Sequence, residues 1–153
     1  MVSDYVVTQH TASEHDGEEH DLCPVAIAYW PTGTHCARRV VRDCLAHNEG
    51  FIFKDKHQWR PFGISYRSLV PKRDEAVNVL TATCPSDSHV GYGAVRIEHQ
   101  FYELGQACAN VCDIALSDGS VQDVPHSVLR ERLLDQGAVL DVSLVGKPDF
   151  SLL

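Results

Sequence analysis

The 153 residues contain no apolar run near the roughly 20 residues that a membrane-spanning helix needs, so a helical span is excluded. Met1 leads into Val-Ser-Asp-Tyr and not into a basic stretch followed by an apolar one. No signal peptide is expected from that start, and the expected location is cytoplasmic. Basic residues are scarce: 13 Lys and Arg stand against 21 Asp and Glu, a formal net charge of −8, and they form no cluster. A nucleic-acid-binding face is excluded on that balance. There is no Cys-x-x-Cys pair and no His-Glu-x-x-His, so no metal site is expected, and the six cysteines are expected to be free thiols. Internal repeats and low-complexity blocks are absent as well. What remains is an ordinary globular composition, 44% hydrophobic and 22% charged, in a chain long enough to bury about two-thirds of its unfolded surface as one domain.

The charge is unevenly placed. Residues 1–21 hold six acids (Asp4, Glu14, Asp16, Glu18, Glu19, Asp21) and no Lys or Arg, with His10, His15 and His20 at every fifth position. That spacing fits neither helix nor strand, and the segment is expected to be a flexible acidic arm ahead of a single domain at 22–153.

The fold class expected is α+β: a mostly antiparallel sheet of four to six strands against one long helix and one shorter C-terminal helix. Strands are expected at 25–30, 36–41, 51–54, 62–70 and 77–83, from β-branched or alternating apolar residues bounded by Pro31, Thr32-Gly33-Thr34, Asn48-Glu49-Gly50 and Pro71. Gly91-Tyr92-Gly93 is expected to be a turn. Apolar residues at Val95, Ile97, Phe101, Leu104, Cys108, Val111, Cys112 and Ala115 have helical spacing and predict one helix over 94–117, stopped by Asp118-Gly119. A second helix is expected over 125–136, with Pro125 in its first turn and Gly137 as its stop, and a last strand over 139–145.

Three blocks carry a resemblance. They are Ile-Ser-Tyr-Arg-Ser-Leu-Val-Pro-Lys at 64–72, Cys-Pro-Ser-Asp-Ser-His-Val-Gly-Tyr-Gly-Ala-Val-Arg-Ile-Glu at 84–98, and Leu-Gly-Gln-Ala-Cys-Ala at 104–109. With Tyr29-Trp30-Pro31, Val121-Gln122-Asp123-Val124 and Leu129 to Leu134 around them, residues 24–141 resemble the C-terminal, substrate-side part of FAD-dependent oxidoreductases. Such proteins hold FAD with an N-terminal unit whose Gly-x-Gly-x-x-Gly loop puts the pyrophosphate on a helix N-terminus. No such loop occurs in these 153 residues. His99 stands where the family usually has Pro, and Asn110 falls within its run of small residues, which speaks against a flavin packed there.

The sequence is therefore expected to be a complete small protein that needs no cofactor. The leading expectation is a cofactor-independent isomerase or cyclase, closing a ring on a flat phenolic or polyketide-like enone in the manner of chalcone isomerase. Such chemistry needs a base and a stabiliser for an enolate oxygen in one pocket. His35, His89, Tyr66 and Arg67 are the candidate catalytic residues, and Tyr29, Trp30, Tyr92, Arg96 and Tyr102 the candidate substrate contacts. His89 has a second reading as a structural hydrogen-bonding group, and Arg67 and Arg96 a second reading as ion-pair partners of Asp87 or Glu98. Two other functions stay open: an FAD-linked oxidoreductase component, as the resemblance implies, and a non-catalytic small-molecule binding module. A small-molecule substrate and a homodimer that covers the helix around Gly105, Ala107 and Ala109 are the expected partners.

Overall fold

The computed structural model describes residues 1–12, 23–30, 32–50 and 60–145. Chain order is β1 (Pro24–Ala28), β2 (Arg38–Arg42), β3 (Leu45–Glu49), β4 (Phe62–Ser65), α1 (His89–Val95), α2 (Glu98–Asp118) and α3 (His126–Asp135), with short 3-10 turns at Tyr66–Ser68, Val121–Asp123 and Val142–Leu144. The class is α+β, as expected. The single larger sheet is not what forms among the described residues: β1 pairs antiparallel with β4, and β2 with β3, as two separate two-stranded sheets.

Local chemistry accounts for each difference. The strand expected over 62–70 stops at Ser65, whose hydroxyl accepts from the Arg67 N–H at 3.2 Å and caps the 3-10 turn. Asp43 and Cys44 take φ of 50° and 61°, a two-residue turn that folds β2 straight back onto β3 where polar punctuation had predicted a loop. The strand expected at 51–54 lies outside the described residues. No strand forms over 77–83, because Asn78 is left-handed (φ 58°) and its side chain accepts from the Val121 N–H at 3.1 Å. Over 139–145 the Asp141 carboxylate accepts from the Ser143 N–H at 2.8 Å and sets a 3-10 turn in place of a strand.

The helix expected over 94–117 is two helices, broken where Ile97 is extended. Ser88 starts α1 early by accepting from the Gly91 N–H at 3.1 Å, so the Gly91-Tyr92-Gly93 turn is helical. Gly119 and Gly137 end α2 and α3 with φ of 111° and 84°, as their positions predict.

The core lies where α2 crosses β1. Val25, Ala26, Ile27 and Ala28 are buried there with Phe62 and Ile64 of β4, Leu104, Ala107 and Val111 of α2, and Leu129 and Leu133 of α3. The acidic arm is corrected over its described half. Val7 and Ala12 are buried in the same core, and Val7 bridges to Asp87 through Val7 N–H to Ser86 O (2.9 Å) and Ser88 N–H to Val7 O (2.8 Å). One buried Val outweighs the charge pattern, which reports only that the remaining side chains favour water. No helix among the described residues is long and apolar enough to cross a membrane.

Candidate functional site

The candidate residues fall into two clusters. The first is built where residues 32–35 meet α1. The Gly33 N–H donates to the Gly93 carbonyl (2.9 Å), and the Thr32 hydroxyl donates to the Val90 carbonyl (2.9 Å). A Cβ on Gly93 would collide with Thr32 Oγ1, so glycine is required for this approach. Arg96, at the end of α1, donates from Nε to the Gly33 carbonyl at 3.1 Å, and its Nη2 lies 3.1 Å from Nε2 of His35. Arginine only donates, so in this contact Nε2 of His35 is the acceptor. The ring nitrogen that would act as a base is thus held by a guanidinium.

The aromatic candidates are open to solvent: Tyr29 is 40% exposed, Trp30 37%, Tyr92 38% and Tyr102 77%. The Tyr29 ring packs against His99, with centroids 5.1 Å apart, and His99 Nε2 is buried with no hydrogen-bond partner among the described residues. His89 is the exposed first residue of α1. Two positions before it, Asp87 buries Oδ2 without a partner among the described residues, and desolvation pushes its carboxyl up to about 6. Arg96 uses its side chain on Gly33 and His35, and not on Asp87 or Glu98, in the contacts described.

The second cluster holds Tyr66 and Arg67. They line a cavity of about 250 Å³ with Ser3, Asp4, Val70, Pro71, Arg73 and Gln122. The Tyr66 hydroxyl donates to the Val121 carbonyl, and burial, with smaller contributions from Cys108, Cys112 and Asp123, pushes it far above its ordinary range. It stays a protonated donor at neutral pH. The Arg67 guanidinium lies 5.5 Å from the centroid of the Tyr5 ring. None of His35, His89, Tyr29, Trp30, Tyr92, Arg96 or Tyr102 lines this cavity. Ser3, Asp4, Arg73 and Gln122 were missed as lining residues. The acidic composition of the N-terminal segment hid the first two, and no local pattern marked Arg73 or Gln122.

A further cavity of about 220 Å³ lies between β1, α2 and α3, with Glu103, Gln106 and Gln136 on its wall. Beside it, Asn110 and Gln136 exchange amide hydrogen bonds (2.9 and 3.0 Å), which gives the polar residue in the small-residue run a structural role. Among the described residues no group of three or more His, Cys, Asp or Glu could hold a metal ion.

The order of the sequence blocks agrees with comparison to known families. A family model described as FAD dependent oxidoreductase matches residues 1–133. The chain belongs to the FAD-dependent oxidoreductase family. No curated protein and no solved structure matches it.

The family implies FAD, and the described residues do not fit the whole cofactor. The glycine pair nearest to a phosphate loop is already filled: Ser88 satisfies the Gly91 N–H, and a Cβ on Gly91 would collide with the Val7 carbonyl. These glycines admit protein backbone, where a pyrophosphate cradle would leave the amides open. The two cavities are also below the roughly 300–1,000 Å³ usual for ligand pockets.

Proposed function

We propose that this chain supplies the substrate-side sheet and closing helices of an FAD-linked oxidoreductase, and that the pyrophosphate-binding part of the enzyme lies outside these 153 residues. The observation that carries this reading is the family match over residues 1–133. The filled glycine pair in α1 supports it, since a member of such a family without an open phosphate cradle needs one from elsewhere. The open face of α2 supports it too, because Tyr102 and Leu116 are 77% and 87% exposed and nothing lies within 4 Å of a Cβ placed on Gly105. In this reading the His35–Arg96 pair borders the flavin-facing substrate space. The family match favours this role over the cyclase.

The test is reconstitution with a Gly-x-Gly-x-x-Gly protein encoded beside this chain. Co-expression is expected to yield a complex that retains flavin absorbance through gel filtration. Cyclisation of a hydroxychalcone by the flavin-free chain, lost in His35→Ala, would instead establish the cofactor-independent cyclase.

A further inference from the structure

The cavity between β1, α2 and α3 joins apolar walls to a single ionisable group. Val25, Ala26, Leu133 and Leu140, all buried, form those walls, and among the described residues Glu103 is the one ionisable side chain that lines it. No Lys or Arg pairs with Glu103 among the described residues. The groups that act on its carboxylate are the Ile27 N–H, which donates to it, and His99, four residues earlier on α2. Neither is a permanent cation. Burial outweighs both and raises the carboxyl above its ordinary value, so the ionised form is short of a counter-charge.

Gln106 supplies a second acceptor beside it, because residues three apart on a helix share a face. The orientation of its amide is set by its neighbours. Gln106 Nε2 donates to Gln136 Oε1 (2.8 Å), which also accepts from Asn110 (2.9 Å), while Gln136 Nε2 donates back to Asn110 Oδ1 (3.0 Å). That network uses the Gln106 nitrogen and leaves its Oε1 as an acceptor with no partner among the described residues. Glu103 and Gln106 are both exposed, so a ligand reaches them from solvent.

We infer that this cavity binds a small primary amine, its ammonium between the Glu103 carboxylate and the Gln106 amide oxygen and its apolar stem against Val25, Ala26, Leu133 and Leu140. An ammonium has three donors and no acceptor, which suits a wall that offers one carboxylate and one amide oxygen. The charge-assisted bond to Glu103 selects it over neutral ligands of the same shape. Size sets the upper limit: 220 Å³ holds about seven water-sized groups, enough for one saturated ring with its amino group. This inference is independent of the oxidoreductase role and of any flavin.

Calorimetric titration of the full chain at low salt and pH 8, where a carboxyl is ionised and an alkylamine is still protonated, tests it with cyclohexylamine and the uncharged cyclohexanol. Cyclohexylamine is expected to bind saturably at one site, and cyclohexanol at least about tenfold more weakly. Glu103→Gln, which keeps an acceptor for the Ile27 N–H, is expected to weaken the amine about tenfold, and Gln106→Leu about fivefold. Glu131→Gln, at an exposed acid outside the cavity, is expected to leave it unchanged. Equal binding of the two probes, unchanged affinity in Glu103→Gln or Gln106→Leu with circular dichroism intact, an equal loss in Glu131→Gln, or no saturation up to about 20 mM would overturn the proposal.

Discussion

Gly91→Ala separates two opposed physical effects. By helix propensity alone the change stabilises, because alanine is better than glycine inside a helix by about 1 kcal/mol. At this position the new methyl would enter the Val7 carbonyl, so α1 or the N-terminal segment has to move. The movement breaks the two backbone hydrogen bonds by which Val7 joins Ser86 and Ser88, at a net loss of about 2 kcal/mol. It also exposes Val7, which is fully buried, for about another 2 kcal/mol. Against the propensity gain the expected net loss is about 3 kcal/mol, or about 6–12 °C in Tm for a domain of this size. Urea unfolding followed by circular dichroism measures the loss, and hydrogen exchange at the Val7 and Ser88 amides shows whether it arises at this contact. A Gly91→Ala protein that is more stable than the parent, with both amides still protected, would refute the packing of the N-terminal segment on α1.

Burial raises the folded pKa of Asp87 to about 6 from an ordinary 3.8, so between about pH 4 and pH 6 the folded state holds the proton more tightly than the unfolded state. Stability is therefore expected to fall as pH rises through that window, by about 1 kcal/mol once solvent screening is allowed for, and Asp87→Asn should remove this component of the slope in denaturant midpoints taken across pH. Gln136→Ala leaves Asn110, which is 8% exposed, without its reciprocal partner, and a loss of about 1–2 kcal/mol in thermal unfolding is expected; a neutral result would show that the amide pair is not stabilising. The exposed Tyr102 and Leu116 predict self-association of the isolated chain through α2, which Leu116→Lys should reduce in light scattering.

The features legible in the sequence were those governed by periodicity and stop residues. β1, the body of α2, and α3 follow from apolar spacing, and their ends follow from Gly119 and Gly137. The features that escaped depend on single side chains bonding to the backbone. Ser65, Ser88 and Asp141 each terminate or start an element through one hydrogen bond, and Asn78 turns a β-branched run into coil by adopting positive φ. Such residues have the same composition whether or not the bond forms. The site was legible in part. Tyr66 and Arg67 are consecutive and share one wall, but the meeting of His35 with Arg96 spans 61 residues and depends on Gly93 admitting Thr32, which no local pattern announces.

The central claim is that a member of the FAD-dependent oxidoreductase family has filled its only close glycine pair with its own backbone and cannot hold the cofactor by itself. Titration of FAD into the purified chain, read by quenching of flavin fluorescence, tests this most directly. The account predicts no saturable binding up to about 100 µM and a colourless protein after gel filtration. Binding with a Kd of about 1 µM, with the flavin bands travelling with the protein, would contradict it.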